Sequence, residues 1–133
     1  MKFPLPIKRV QKRLTQKQRS ERSGRQAERL AALYLRLRGF RILASRYKTK
    51  AGEIDLIAAR GDLIVMAEVK FRATIGAAHD SLSASSERRI RSAADLYIAR
   101  HRFAQNKAVR FDALFFYGAR PSLRRTEHII SAF

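Results

Sequence analysis

Apolar residues recur at helical spacing in some stretches of the chain and at strand spacing in others. Ser23 and Gln26 have the S-x-x-Q spacing of a capping box, so a helix is predicted to start near Ser23. Ala27, Leu30, Ala31, Tyr34 and Leu37 then form one stripe, and Gly39 is a natural C-terminal stop. Glu28 lies at the edge of that stripe, between core and solvent. Residues Phe40 to Tyr47 alternate through Phe40, Ile42 and Ala44, which predicts a strand. Two further β-type runs, Glu53–Ala59 and Leu63–Phe71, flank Arg60-Gly61-Asp62 and predict a hairpin. The small, polar residues Thr74 to Ser86 read as a loop. A second helix is predicted from about Ser86 to Phe103, with Ile90, Ala93, Ala94, Tyr97 and Ile98 on one face and Arg88, Arg91, Asp95 and Arg102 on the other. Val109–Phe116 reads as a strand, Gly118 and Pro121 as a turn, and Glu127–Phe133 as a last strand. The fold class is therefore α/β, in the order α-β-β-β-α-β-β, with a mixed central sheet flanked by helices.

The hairpin brings charged residues together. With Gly61-Asp62 as a two-residue type II′ turn, glycine first, Arg60 faces Leu63. Counting back, Asp55 falls opposite Glu68 and Glu53 opposite Lys70, and Glu68 and Lys70 share a face. A one-residue change in the turn would separate Asp55 from Glu68. Ile57, Ile64 and Met66 continue the acidic face, whereas Ile54, Leu56, Val65, Ala67 and Val69 line the other. Strands apolar on both faces are covered on both sides. A strand ending in Glu-Val-Lys is often an ordinary ion pair. Carboxylates crowded at the end of a covered hairpin, however, resist joint ionisation, and a divalent cation relieves them. Hard oxygen ligands suit Mg²⁺ or Mn²⁺, and a neighbouring lysine can orient a water or hold a phosphate oxygen.

Charge sharpens this picture. Lys and Arg number 29 against 11 Asp and Glu, a net +18. Solubility needs a charge of only about 2–8 in a small domain, so the excess points to a polyanionic partner. Residues 1–22 carry eight basic residues and one acid, with Pro4 and Pro6 near the start. They read as a basic, disordered tail, either solvated or following a phosphate backbone, ahead of a domain over residues 23–133. The absence of cysteine excludes disulfides, thiolate catalysis and cysteine-zinc sites. His79, His101 and His128 have no ligand spacing and read as surface or packing residues. No long apolar run, signal-type segment or lipidation motif is visible, so a cytoplasmic protein without membrane contact is expected. No G-x-S-x-G elbow is present either.

The stretches Gly52–Ile57 (G-E-I-D-L-I), Glu68–Arg72 (E-V-K-F-R) and Arg110–Asp112 (R-F-D), with the terminal Ala132 and Phe133, resemble the YraN-type uncharacterised bacterial family over roughly Gly24 to Phe133. That family is regarded as endonuclease-like, related to archaeal Holliday junction resolvases and the wider PD-(D/E)XK, or restriction-endonuclease-like, fold. The resemblance implies that Asp55, Glu68 and Lys70 correspond to its D…ExK signature and that Glu28 completes the metal site. It also implies a ligating carbonyl at Val69 and a supporting or substrate-facing role for Glu53. Two departures stand out. Ser86 occupies a position where the family usually has lysine, and Arg46 and Lys48 stand where Asn and Arg are usual. Lys48 keeps the charge but cannot make the bidentate bond of an arginine.

The expected function is a Mg²⁺- or Mn²⁺-dependent endonuclease acting on DNA rather than RNA, with branched or junction DNA as a candidate substrate. Asp55, Glu68 and Glu28 would ligate the metal and Lys70 would position the attacking water. Arg46, Lys48, Lys50, Arg72, Arg88 and Arg91 are the candidate phosphate contacts, and a homodimer would match a two-fold substrate. The rivals are a nucleic-acid-binding module that does not cut, and an interaction protein docking on anionic assemblies through its tail.

Overall fold

A computed structural model of the chain describes residues 13–133. Its elements are α1 (Gln16–Leu37), β1 (Arg41–Lys48), β2 (Glu53–Arg60), β3 (Leu63–Arg72), α2 (Ile75–Asp80), α3 (Ala84–Arg100), β4 (Ala108–Tyr117) and β5 (Thr126–Ile129). The strands form one sheet in the order β1-β2-β3-β4-β5, antiparallel throughout except for the parallel β3–β4 pair. Helix α1 covers one face, where Ala27, Ala31 and Leu35 pack on Leu56, Val65, Ala67, Leu114 and Phe116. Helix α3 covers the other, where Ile90, Ala93, Ala94 and Tyr97 pack on Ile57, Ile64 and Met66. Helix α2 extends that layer over Ala113 and Phe115. Each fully buried Leu- or Ile-sized side chain contributes about 1.5–3 kcal/mol, so this two-sided sandwich supplies the main driving force for folding.

Several boundaries differ from the pattern-based expectation. Helix α1 starts at Gln16, not near Ser23, because Thr15 and Gln18 form a reciprocal capping box earlier in the chain. The first turns bury nothing; cap chemistry and straight-chain helix formers hold them. Residues 16–22 of the expected tail are thus helical, while residues 1–12 lie outside the described part. Leu37 is 69% exposed and does not join the stripe. The helix ends as expected at Gly39, whose φ of 86° lets the Phe40 N–H reach the Leu35 carbonyl oxygen.

Strand β1 does not alternate simply. An extra residue between Ile42 and Ala44 shifts its register, so Ile42 packs toward α1 while Leu43 and Ala44 both pack toward α3. The expected loop Thr74–Ser86 contains α2, capped by Thr74, and α3 begins at Ala84 under a Ser83 cap. The last strand ends at Ile129 rather than Phe133. Ser131 turns left-handed (φ 55°) and donates its N–H to Asp112.

The hairpin register is the expected one, with Arg60 paired to Leu63 and Leu56 to Ala67. Gly61 has φ 57° and Asp62 is not left-handed, as a type II′ turn requires. Gly52 has a different reason to be glycine. A Cβ there would lie 2.1 Å from the Arg89 carbonyl oxygen, so the backbone of α3 rests directly on the start of β2.

Candidate functional site

The site lies where β2 and β3 part. Their pairing ends at Leu56–Ala67, so neither Asp55–Glu68 nor Glu53–Lys70 is a ladder pair; Glu53 pairs instead with Lys48 of β1. One step past the last pair, Asp55 Oδ2 accepts the Val69 N–H at 2.8 Å. The carboxylate takes a hydrogen bond that a strand carbonyl would otherwise accept, and it reaches across the gap between the strands. Alternation breaks around it. Ile54 packs on the α3 side with Ile57, not on the expected face with Leu56.

The other acids approach from opposite faces of the sheet. Glu28 of α1 accepts from Arg46 Nε at 2.8 Å on one side. Glu68 faces the α3 side, 3.1 Å from Lys70 Nζ. Asp55 stands between these ion pairs. Burial first, then the charges of Glu68 and Glu28, push its carboxyl up to about 7, against the opposing pull of the Val69 N–H and Lys70. Glu28, and more weakly Asp55 and Glu53, hold the Arg46 guanidinium further above its ordinary value. Arg46 adopts φ 52°, an uncommon conformation for a residue with a side chain and one that concentrates at functional sites.

Two hollows open on this end of the sheet. One, of about 230 Å³, is lined by Glu28, Arg46, Lys48, Glu53, Ile54 and Asp55. The other, of about 100 Å³, is lined by Glu53, Glu68, Lys70, Ser86 and Arg89. Glu53 therefore sits on the rim between them, exposed to any substrate. The fold brings Glu28, Glu53, Asp55, Arg46 and Lys48 to one hollow and Glu53, Glu68 and Lys70 to the other, at the same end of the sheet. Lys50 is exposed in the Thr49–Gly52 turn, and Arg88 is exposed on α3. Arg91 pairs with Glu87 at 3.1 Å and stacks on Phe111, so it is turned to a neighbour on its own helix. Arg72 lines a separate groove beside Lys70. Pattern reading missed Arg89. It stands one helical turn after Ser86 and lines the same hollow; helical spacing from Ser86 was the available signal.

Among the described residues no three acidic or histidine side chains form a ready-made metal cage. The donor chemistry nonetheless fits a hard divalent cation. Asp55, Glu28 and Glu68 supply only carboxylate oxygens, and burial together with the charges of Glu68 and Glu28 pushes the Asp55 carboxyl up to about 7. Mg²⁺ commonly binds through one or two carboxylates and keeps several waters, so a closed cage is not required. Glu28 and Glu68 would exchange part of their contact with Arg46 and Lys70 for the ion.

Among the described residues no helix is long and apolar enough to cross a membrane. Residues 27–116, which include every acid of the site, match the sequence model of the uncharacterised protein family UPF0102. A UPF0102 protein of Agrobacterium fabrum (strain C58) is 49% identical over 117 residues, covering 88% of this chain and 93% of that protein. Counterparts from a Chelativorans species and from Bartonella tribocorum are 50% and 48% identical, over 72% and 74% of this chain and 77% and 76% of theirs. With this extent of identity across the folded region, the chain belongs to the UPF0102 family, the YraN-type family that its motifs resemble.

Proposed function

We propose that the protein is a metal-dependent endonuclease that hydrolyses phosphodiester bonds in DNA, on a restriction-endonuclease-like core. One observation carries this reading: a half-buried carboxylate, Asp55, is crowded by two further acids and flanked by a lysine at the open end of a sheet. A structural ion-pair cluster has no need of the third negative charge. Asp55, Glu68 and Glu28 would hold Mg²⁺ or Mn²⁺, which supplies charge neutralisation and Lewis acidity at the phosphate. Lys70 Nζ, anchored by Glu68, donates a hydrogen bond to the attacking water and keeps it in line with the phosphorus. Arg46, Lys48 and Arg89 offer the phosphate contacts nearest the site. The charge of +18 steers a polyanion to it. Branched or junction DNA, cut by a two-fold dimer, is the substrate form this reading favours.

A non-cutting binding module is the second reading. The observation in its favour is that Glu28 and Glu68 each already has a cation of its own. A labelled panel of duplex, single strand, four-way junction, flap and RNA separates the two, tested with Mn²⁺, Mg²⁺ or EDTA. Metal-dependent cutting that falls at least about 100-fold in both Asp55→Asn and Lys70→Ala supports the nuclease, the size expected when one group that stabilises the transition state is removed. Salt-sensitive binding without cutting, unchanged in both variants, sinks it for these substrates.

A further inference from the structure

The core-facing stripe of α1 changes character along the helix. From Ala27 onward it is apolar and buried. One to three turns earlier the same face carries Gln16, Arg19, Ser20, Ser23 and Gly24, none of them buried. These residues form one wall of a groove of about 850 Å³. The other wall is the end of β3, with Lys70, Phe71 and Arg72. The groove therefore meets β3 at Lys70, whose ammonium pairs with Glu68 on the other face, and runs outward beneath the overhanging start of α1. This wall precedes the segment 27–116 that defines the family match.

We infer that this groove binds an unpaired strand of DNA, leading it to or from the phosphate held at Lys70. The occupant follows from shape and chemistry. The walls are one helix and one strand end, and the space between them is about 850 Å³. A duplex, whose major groove alone is about 12 Å wide and about 8.5 Å deep, is too thick to enter a space of that volume. A space near 850 Å³ lies within the roughly 300–1,000 Å³ of ordinary ligand clefts and takes roughly two or three nucleotides of a single strand. Arg19 and Arg72 supply cations, the serines supply hydroxyl donors, and half-buried Phe71 adds an aromatic surface. A basic groove with an aromatic wall is the usual platform for single strands. Among the described residues neither Arg19 nor Arg72 is paired with a carboxylate. Gly24 fits the same purpose. A Cβ there would meet nothing within 4 Å, so packing does not demand glycine inside this helix. Its missing side chain leaves the groove floor clear.

Strand guidance by this groove rests on the nuclease reading, yet it can be tested without any cleavage. Binding of the full chain to a fluorescent oligothymidylate of about six nucleotides, and to a hairpin duplex, is followed by anisotropy in EDTA over a salt series. Gly24→Leu fills the groove with a better helix former, so folding is not threatened. It is expected to weaken oligothymidylate binding at least about tenfold and duplex binding less than about twofold. Arg19→Ala with Arg72→Ala should lower the salt slope for the single strand by about 1.4, at about 0.7 for each phosphate no longer neutralised. Oligothymidylate that does not bind, or that binds Gly24→Leu as tightly as the unaltered chain, overturns the inference. Absence of cutting in Mg²⁺ or Mn²⁺ would count against the nuclease and leave this result standing.

Discussion

One aspartate of the molecule is fully buried and another half-buried, and they behave in opposite ways. Asp112, on β4, is fully buried, yet its carboxyl is held below its ordinary range. Burial alone would push it up. The hydrogen bonds from His128, Arg110 and the Ser131 N–H overcome that. Arg110 donates two bonds at 2.9 Å, His128 Nε2 lies 2.8 Å away, and the Ser131 N–H is at 3.1 Å. Every oxygen is used, and the acid ties β5 and the chain end to the sheet. Asp55 has one backbone donor, one distant lysine and two acids for company. It is pushed up to about 7. Loss of solvent raises both; the difference lies in the sign of the neighbours. One carboxylate is finished within the protein, and the other is left in want of a cation.

The largest expected effect tests the finished end. Asp112→Ala leaves Arg110 and His128 without their acceptor and should cost about 3–5 kcal/mol, read from chemical denaturation. A loss below about 1 kcal/mol would remove the contrast between the two acids. Next comes Gly52→Ala, at the unfinished end. The added Cβ pushes on the Arg89 carbonyl and should cost about 1–3 kcal/mol while moving Arg89 away from Lys70. An unchanged melting temperature would show that α3 is free to shift there.

The pH dependence should then run in opposite directions. The folded value for Asp112 is below its unfolded one, so its stabilisation is present at neutral pH and is lost as the pH falls through the carboxylate range. The folded value for Asp55, about 7, exceeds the ordinary 3.8, so the folded state keeps a proton that the unfolded chain gives up. Stability should fall between about pH 4 and pH 7 on this account. Asp55→Asn should flatten that fall and melt higher than the unaltered chain at about pH 8, with little difference at about pH 4. Equal pH–melting curves would mean that Asp55 is not crowded. The smallest effect is the metal's own. Mg²⁺ at about 10 times its Kd should stabilise by about 1.4 kcal/mol at about pH 8 and less at about pH 6, where it competes with the proton on Asp55. Asp55→Asn should show little or no shift at either pH.

Much of this architecture is legible in the chain. Period-two runs about Gly61-Asp62 specify the hairpin and its register, because glycine first in a two-residue loop leaves few alternatives. Helical stripes place Ala27–Leu35 and Ile90–Tyr97 on the two covering helices. The early start of α1 was hidden because Thr15 and Gln18 act through capping, not through apolar spacing. The bulge at Leu43 and the left-handed Arg46 were hidden for a similar reason, since both break the alternation on which strand reading relies. The R-F-D stretch is recognisable as a motif, but its work depends on His128 and Ser131, remote in sequence.

The sequence by itself determined the α/β class, the hairpin register and the acids and lysine near its open end. Local propensity, turn geometry and the strand period are properties of neighbouring residues, so a chain read in order reveals them. Tertiary structure decided that the strands part at Asp55 and that Glu28 and Glu68 approach it from opposite faces. It also decided that Arg89, rather than Arg91, lines the hollow. Those outcomes depend on where α1 and α3 lie across the sheet, and burial and charge act through space, whatever the distance along the chain.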